Sequence, residues 1–383
     1  MIKAKHVIAI SSNYGDPRHS GVWSGTSSNV LKAIESLGVN VVGINSSPLN
    51  RYQRRAYMLV NQLSGYRLDP WLEPTFRAWS AKKLHRQIQA LGCTKILHMG
   101  QLDLPMPKLD PGVEHYLMCD VTRNAFTKFS ANIDQLTPKM LQRYEQLERE
   151  SFAQIKHFFP MSEYVRDNLI DHYKVNPNKI TVVGTGAGNI KPFTGDKDYR
   201  NGHILFVAIQ RFKEKGGFLL IEGFKLAQRK NPSLKLIVVG NDQYRQMIGS
   251  VPNVRVTGFM PPEELQNLFN TAALFAMPSL NEAWGLVYIE ALACKNPILG
   301  LNRNSLPEIT CDGQYGFLVD EPTAERVADA ILQAFSNPDK LSEMGAAGQR
   351  YCLEKFSWNR VATKIASVML GTPAPLLQSL EKC

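Results

Sequence analysis

The sequence has no run of eighteen apolar residues, so no segment reads as a helix able to cross a membrane. It also has no CxxC pair. Its six cysteines, Cys93, Cys119, Cys294, Cys311, Cys352 and Cys383, are scattered, which argues against a zinc site or a disulfide framework and fits a reducing cytoplasm. A complete dinucleotide fingerprint is missing too. In VVGTGAGN, Gly184, Gly186 and Gly188 fail GxGxxG because Asn189 stands where the third glycine belongs, and NIKPF follows where a helix should begin. A nicotinamide enzyme is therefore not expected. A pI near 9.2 would allow nucleic-acid binding, but no recognition module accompanies it, so nucleic acid is not an expected partner. The opening MIKAKHVIAISS has only VIAI as an apolar stretch, too short for an export signal and better suited to a first strand.

What the sequence does contain is globular. Of 383 residues, 44% are hydrophobic and 20% charged, which suits two domains rather than one core. Short apolar runs alternate with helical patterns. HVIAISS, VNVVGIN, TKILHMG, EHYLMCD and HFFPMS read as buried strands in the first half; HILFVAI, LKLIVVGND, PNVRVTGFM and ALFAMPS do so in the second. The alternation predicts an α/β chain of two doubly wound, Rossmann-like domains with parallel sheets and a cleft between them. The stretch NIKPFTGDKDYRNGH, rich in Gly, Pro, Asp and Lys, marks the expected boundary, giving domains 1–193 and 194–356. The net charge of +10 is uneven: residues 1–195 carry +9 and residues 196–383 carry +1. Such asymmetry points to an anionic partner for the first half.

Chemistry concentrates in PSLNEAWGLVYIEALACKNPILG. Two carboxylates, Glu282 and Glu290, lie eight positions apart on either side of what reads as the opening turn of a helix. The first N–H groups of that helix, near Gly285, Leu286 and Val287, form an anion site, and a glycine lets a phosphate approach the backbone. Glu290 sits among Val, Tyr, Ile, Ala and Leu, where a carboxylate needs partners; a ribose diol would supply them. Glu282 is placed to hold a sugar. The bland alternative is one capping acid and one structural ion pair. Upstream, FVAIQRFKEKGGFLL puts Arg211, Lys213 and Lys215 on a loop at the end of a strand. That arrangement suits a diphosphate, although a solvated basic turn looks the same.

Together these features resemble glycosyltransferase family 4, retaining enzymes of the GT-B fold. The signature of that family, a serine followed by E-x7-E, runs here from Ser279 through Glu282 to Glu290, then ALAC and Pro297. FKEKGG resembles the family's donor-phosphate loop, LIVVGN and VTGFM its next two strands, LPEITCDGQYGFLVD its later segment, and FSW with the last helix its crossover. The resemblance thus adds residues 357–383 to the first domain. It implies that Lys215 contacts the donor diphosphate, that Glu290 holds the ribose, and that Glu282 with the amides of Gly285, Leu286 and Val287 holds sugar and phosphate. It places Gly25 and Thr26, in WSGTSS, in the glycine loop that closes over the phosphates, and Phe259, in VTGFM, beside the donor. His98, at the end of KILH, is the match to a family histidine near the transferred sugar, with Asp120 the other polar residue at a strand end. Three departures stand out: Gln210 occupies the usual arginine position, so Arg211 is the substitute; Lys295 replaces a glycine; Trp284 replaces a phenylalanine.

The implied activity is transfer of a sugar from a UDP- or GDP-sugar to an acceptor, a lipid or a glycan, with retention at the anomeric carbon. The growing charge on the leaving diphosphate would be met by helix amides, Lys215 and Arg211, so no metal or other cofactor is assigned. A sugar-nucleotide epimerase and a non-catalytic scaffold of the same fold are the rivals; an epimerase would need no acceptor. Residues 51–95 hold nine Lys/Arg against two acids, interleaved with Tyr52, Tyr57, Tyr66, Trp71, Phe76 and Trp79. That mixture suits the headgroup region of an anionic membrane, or else a solvated basic face or a groove for an anionic acceptor.

Overall fold

The computed structural model describes residues 7–47, 49–64, 74–101, 112–129 and 137–372. The chain divides into two units. One comprises residues up to 127, 132–185 and the segment from Trp358 onward; the other is residues 186–357, joined by Lys128–Ala131.

The first unit is built on a parallel sheet of β1 (Val7–Ser12), β2 (Asn40–Asn45), β3 (Lys95–Met99), β4 (Glu114–Cys119) and β5 (His157–Pro160), in the order β2-β1-β3-β4-β5. Its strands are short apolar runs rather than alternating ones, as befits strands covered by helices. Three helices follow in order: α1 (Thr26–Ser36), α2 (Arg51–Ser64) and α3 (Pro74–Leu91). Leu84 and Ile88 of α3 pack with Ala9, Ile44, Cys93 and Ile96 on one part of the sheet. The C-terminal helix Trp358–Leu370 returns to this unit and packs on α1; residues 373–383 of the expected crossover lie outside the described residues.

The second unit has six parallel strands: β6 (His203–Ala208), β7 (Leu236–Gly240), β8 (Val254–Gly258), β9 (Ala272–Ala276), β10 (Ile298–Leu301) and β11 (Gly316–Val319), ordered β11-β10-β9-β6-β7-β8. Strand order reverses between β6 and β9. Loops leaving the carboxyl ends of those two strands therefore diverge, and the crevice they leave is where an open α/β sheet binds ligands. The two motifs of the sequence occupy these two loops: residues 209–216 follow β6 and residues 277–285 follow β9.

Residues 186–193, expected with the first domain, belong with the second. Composition marks 189–203 as the boundary, but the start of that stretch is tied down. The Lys191 amide donates to Gln266 Oε1 at 2.7 Å, and the Phe193 amide donates to the Ala293 carbonyl at 3.1 Å. Further along, Lys197 Nζ reaches the carbonyls of Phe269 at 2.8 Å and Ala272 at 2.7 Å and also bonds to Asn296 Oδ1. A half-buried lysine with three oxygen partners is fixed in place, which a free linker would not be.

Candidate functional site: a cation loop facing a helix start

The loop after β6 turns sharply into the helix Gly217–Lys230, and its two glycines are there for space. Gly216 has φ +77°, and a Cβ on it would come 1.9 Å from the Pro278 carbonyl oxygen. A Cβ on Gly217 would sit 2.3 Å from the Phe212 ring. The loop thereby lies directly on the segment after β9. Glu214 seals the contact, its carbonyl accepting from the Leu280 amide at 2.8 Å and from Ser279 Oγ at 3.1 Å. The motif serine is thus a clamp between the two loops.

That clamp brings Lys215 to Glu282. The two side chains form an ion pair, 18% and 15% exposed. Burial, and then the neighbouring Arg211, push the Lys215 ammonium down to about 7, against the opposing pull that a carboxylate partner exerts. Arg211 is exposed and holds a left-handed backbone, φ +61°, a conformation that costs free energy in a side chain this size. Its carbonyl accepts the Lys215 amide at 2.8 Å, so the strained residue shapes the turn that aims the lysine.

On the other side, Gly285 precedes the helix Leu286–Ala293 with φ +83°, and a Cβ there would meet the Tyr288 ring at 2.6 Å. Tyr288 is buried and donates its hydroxyl to the Met277 carbonyl at 2.8 Å, which fixes the helix start against β9. Leu286 and Val287 are half-buried, and their amides are among the first of the helix, which have no acceptor within it.

Glu290, one turn further on, is not idle. Its Oε1 accepts the Asn189 amide at 2.9 Å, and the carboxyl also takes the Ile190 amide. A Cβ on Gly188 would fall 2.2 Å from Oε1. Burial raises the Glu290 carboxyl to about 7 despite these amides. The stretch that imitates a nucleotide fingerprint therefore has another reason for its last glycine: it lets the chain press against a carboxylate.

In the first unit, Gly25 (φ +83°) precedes α1 and Thr26 is its first, buried residue. Trp23 and Ser24, just before, are also left-handed, at φ +48° and +53°. His98 ends up inside the sheet of its unit. It is fully buried, with Nδ1 3.0 Å from Ser11 Oγ and Nε2 2.9 Å from His115 Nδ1. Both ring nitrogens are engaged and the two imidazoles stack at 5.2 Å, so the ring is held by its neighbours in the sheet. Asp120 directly follows β4. Burial raises its carboxyl to about 6, and it accepts from the Trp23 indole and the Val121 amide.

Residues 195–351 match the family model described as glycosyl transferases group 1. The match falls within the second unit. Among curated proteins it is 31% identical over 218 residues to a D-inositol 3-phosphate glycosyltransferase of Rhodococcus opacus, covering 51% of this chain and 49% of that one. It is 28% identical over 171 residues, 41% and 45% of the two chains, to a GDP-mannose-dependent alpha-(1-6)-phosphatidylinositol monomannoside mannosyltransferase of Mycolicibacterium smegmatis. The chain spans about half the length of the curated relatives it matches. Among solved structures, a sucrose-phosphate synthase from Thermosynechococcus elongatus superposes with a TM-score of 0.74 over 96% of this chain and 98% of that one, at 16% identity. That likeness is one of fold, the two-domain α/β GT-B architecture expected from the alternation of strands and helices.

Within residues 195–351 the structure groups Arg211, Lys215, Glu282 and Gly285 on the two loops at the strand-order reversal, and Leu286, Val287 and Glu290 on the helix that follows the second loop. Phe259 stands apart. It follows the edge strand β8, two strands out from β6, is 73% exposed, and lines an open cavity of about 830 Å³ with Arg245, Arg255 and Met260. The metal-free expectation overlooked one Asp-x-Asp, Asp196 and Asp198. Asp198 is consumed locally: it accepts the Arg200 and Asn201 amides, each at 3.0 Å, and the Asn201 side chain at 2.8 Å. Among the described residues no three metal-binding side chains converge. Sequence reading also missed Gly188, Asn189 and Ile190; the only signal was a glycine left unexplained once the fingerprint failed.

Proposed function

We propose that this protein is a retaining glycosyltransferase that moves a sugar from a UDP- or GDP-sugar to a lipid or glycan acceptor. The observation that carries the reading is the convergence of Lys215 and Arg211 with the amides of Leu286 and Val287 at the strand-order reversal of a group 1 glycosyl transferase domain. These are the groups a departing nucleoside diphosphate needs. The names of the two curated relatives, one acting on an inositol phosphate and one on a phosphatidylinositol mannoside, support a phosphorylated or lipid-linked acceptor and a position at an anionic membrane surface.

Before the donor arrives, Glu282 neutralises Lys215. The diphosphate takes over the ammonium, and Glu282 is released to accept hydrogen bonds from sugar hydroxyls. Phosphate oxygens beside Lys215 favour its charged form, so the lysine is held protonated while the anomeric C–O bond breaks. The acceptor oxygen attacks from the face that the leaving diphosphate vacates, and the hydroxyl proton passes to a diphosphate oxygen. At the anomeric carbon one C–O bond forms as one breaks, the proton moves from acceptor to leaving group, and configuration is kept. Glu290 offers its carboxylate to the ribose diol while retaining the amides behind it.

Thermal unfolding against UDP, GDP and ADP with their sugar conjugates tests the reading. A ligand at a hundredfold its Kd adds about 2.7 kcal/mol, so one nucleotide series should raise the Tm by several degrees. Turnover of that donor with and without acceptor then separates transfer from epimerisation. Absence of any nucleotide-dependent shift, or an altered sugar configuration without acceptor, would refute the transfer reading.

A further inference from the structure

The first unit carries a surface that the donor reading leaves unused. Along α2, Tyr52, Ala56, Leu59 and Val60 fall at i, i+4, i+7 and i+8, one face of the helix. All four are exposed, Tyr52 by 78%, Leu59 by 56% and Val60 by 61%. Helices of globular proteins turn such a stripe inward. Here another side of α2 does the packing: Tyr57 meets Phe76 of α3 edge to face at 5.3 Å, and Phe76 meets Trp79 at 5.6 Å. Trp79 is itself 56% exposed. With Lys82, Lys83, Arg86 and Gln87 it lines a cavity of about 430 Å³.

Among the described residues no carboxylate lines that cavity. Lys83 Nζ is held by the Ser47 carbonyl at 2.8 Å, while Lys82 and Arg86 are exposed and, among the described residues, have no acidic partner. Arg55, exposed on α2, adds a cation beside the apolar stripe. An apolar helix face, an aromatic side chain half in water, and unpaired cations of one sign make three separate demands. A protein groove or a soluble anion meets only some of them. An anionic bilayer meets all three: acyl chains for the stripe, the interfacial region for the indole, and phosphates for the cations. The net charge of +7 over residues 51–95 complements such a surface.

We propose that α2 and α3 form a membrane-docking surface, in which Tyr52, Leu59 and Val60 enter the headgroup–acyl boundary and Lys82 and Arg86 hold a lipid phosphate beside Trp79. This inference deepens the membrane position proposed above and rests on it, while its test is separable from donor binding because none of these residues belongs to the donor site. Tyr66 and Trp71 of the same basic segment lie outside the described residues, and nothing rests on them.

Co-sedimentation with phosphatidylcholine vesicles, with and without phosphatidylglycerol, tests it. The protein should pellet with the mixed vesicles at low salt, stay free of the neutral ones, and dissociate as salt screens the charges. Lys82→Gln with Arg86→Gln should weaken partitioning about tenfold or more, since each cation near an anionic surface is worth roughly fivefold. Leu59→Asn with Val60→Asn should weaken it about tenfold even at low salt. All four positions are at the surface or at its edge, and thermal melts should show unchanged folding. Failure to bind mixed vesicles at low salt, or wild-type binding by both double variants, overturns the proposal. Release from vesicles by inorganic phosphate at constant ionic strength would also overturn it, by making the cavity a site for soluble anions.

Discussion

The two units use charge in opposite ways. The first carries a large excess of cations, and those of α2 and α3 at Arg55, Lys82 and Arg86 are exposed. The second is almost neutral, yet it sets Lys215, 18% exposed, against Glu282 and beside Arg211. Counting charges would point to the first unit as the place where a diphosphate binds. Coulomb energy points to the second, because a charge removed from water interacts several times more strongly than one in it. The carboxylates repeat the contrast. Glu114 of the first unit sits half-open between Lys156 and Lys95, which hold it at about 2. Glu290 of the second is enclosed with backbone amides alone and rises to about 7. Partner and burial, not residue type, decide which form each prefers.

The sharpest way to break this comparison is Lys215→Ala. If a buried cation outweighs many exposed ones, turnover should fall about a hundredfold to a thousandfold, with a smaller loss in affinity for the diphosphate product. Equal losses in both would make Lys215 a ground-state binder only. Arg211→Ala, exposed and strained, should follow the same pattern with a loss nearer tenfold, measured in the same assays.

Glu290 and its glycine come next. Glu290→Gln keeps the volume but loses charge-assisted hydrogen bonds, so donor affinity should drop at least tenfold. Gly188→Ala should produce a similar drop from the opposite direction, since its Cβ would lie 2.2 Å from Oε1 and the carboxylate must move away. Isothermal titration with the preferred nucleotide reads both. Unchanged affinity in a folded Glu290→Gln variant would leave that carboxylate as a structural acid.

The pH dependence of stability is a milder effect, opposite in sign for the two carboxylates. Glu290 has its folded pKa raised from 4.5 to about 7, so the folded state holds the proton more tightly. Its contribution is fully present below pH 4.5 and is lost as pH rises to about 7, by up to about 3 kcal/mol. In urea melts the wild type should therefore lose ground to Glu290→Gln between pH 4.5 and pH 7. Glu114, lowered from 4.5 to about 2, contributes above pH 4.5 and loses that contribution as pH falls through 2.

The smallest effect expected is that of Glu114→Gln at neutral pH. Its two ion pairs are partly open to water, with the Glu114 side chain 36% exposed and Lys156 54% exposed. Such pairs are worth roughly 0–1 kcal/mol. A loss well above that in a thermal melt would show that the exposed charges of the first unit do more than the comparison allows.

Much of this protein was written locally. The order of strands and helices follows from short apolar runs alternating with helical periodicity, and the parallel sheets follow from that order. E-x7-E, FKEKGG and the serine before them were legible because each lies within one loop or helix start, where neighbours in sequence are neighbours in space. Cations and carboxylates on loops at strand ends could be read as a site for the same reason. The α2 pattern of aromatics and cations was equally visible, but not which side of the helix would remain uncovered.

Only the tertiary structure could decide what depends on distant pairing. Lys215 meets Glu282 across 67 positions and Asn189 meets Glu290 across 101, separations over which no periodicity carries information. His98 could be placed at a strand end from sequence, but not its contacts with His115 and Ser11 on the neighbouring strands β4 and β1. Gly188 looked like a failed phosphate loop until a carboxylate arrived where its side chain would have been. Residues 189–203 read as a domain boundary from composition, while Lys197 finds three oxygens in the second unit. Sequence sets the residue types and their local geometry; burial and the identity of the partner are set by chain segments that meet only on folding, and those two quantities decide where a charge, a proton or a methyl group can stay.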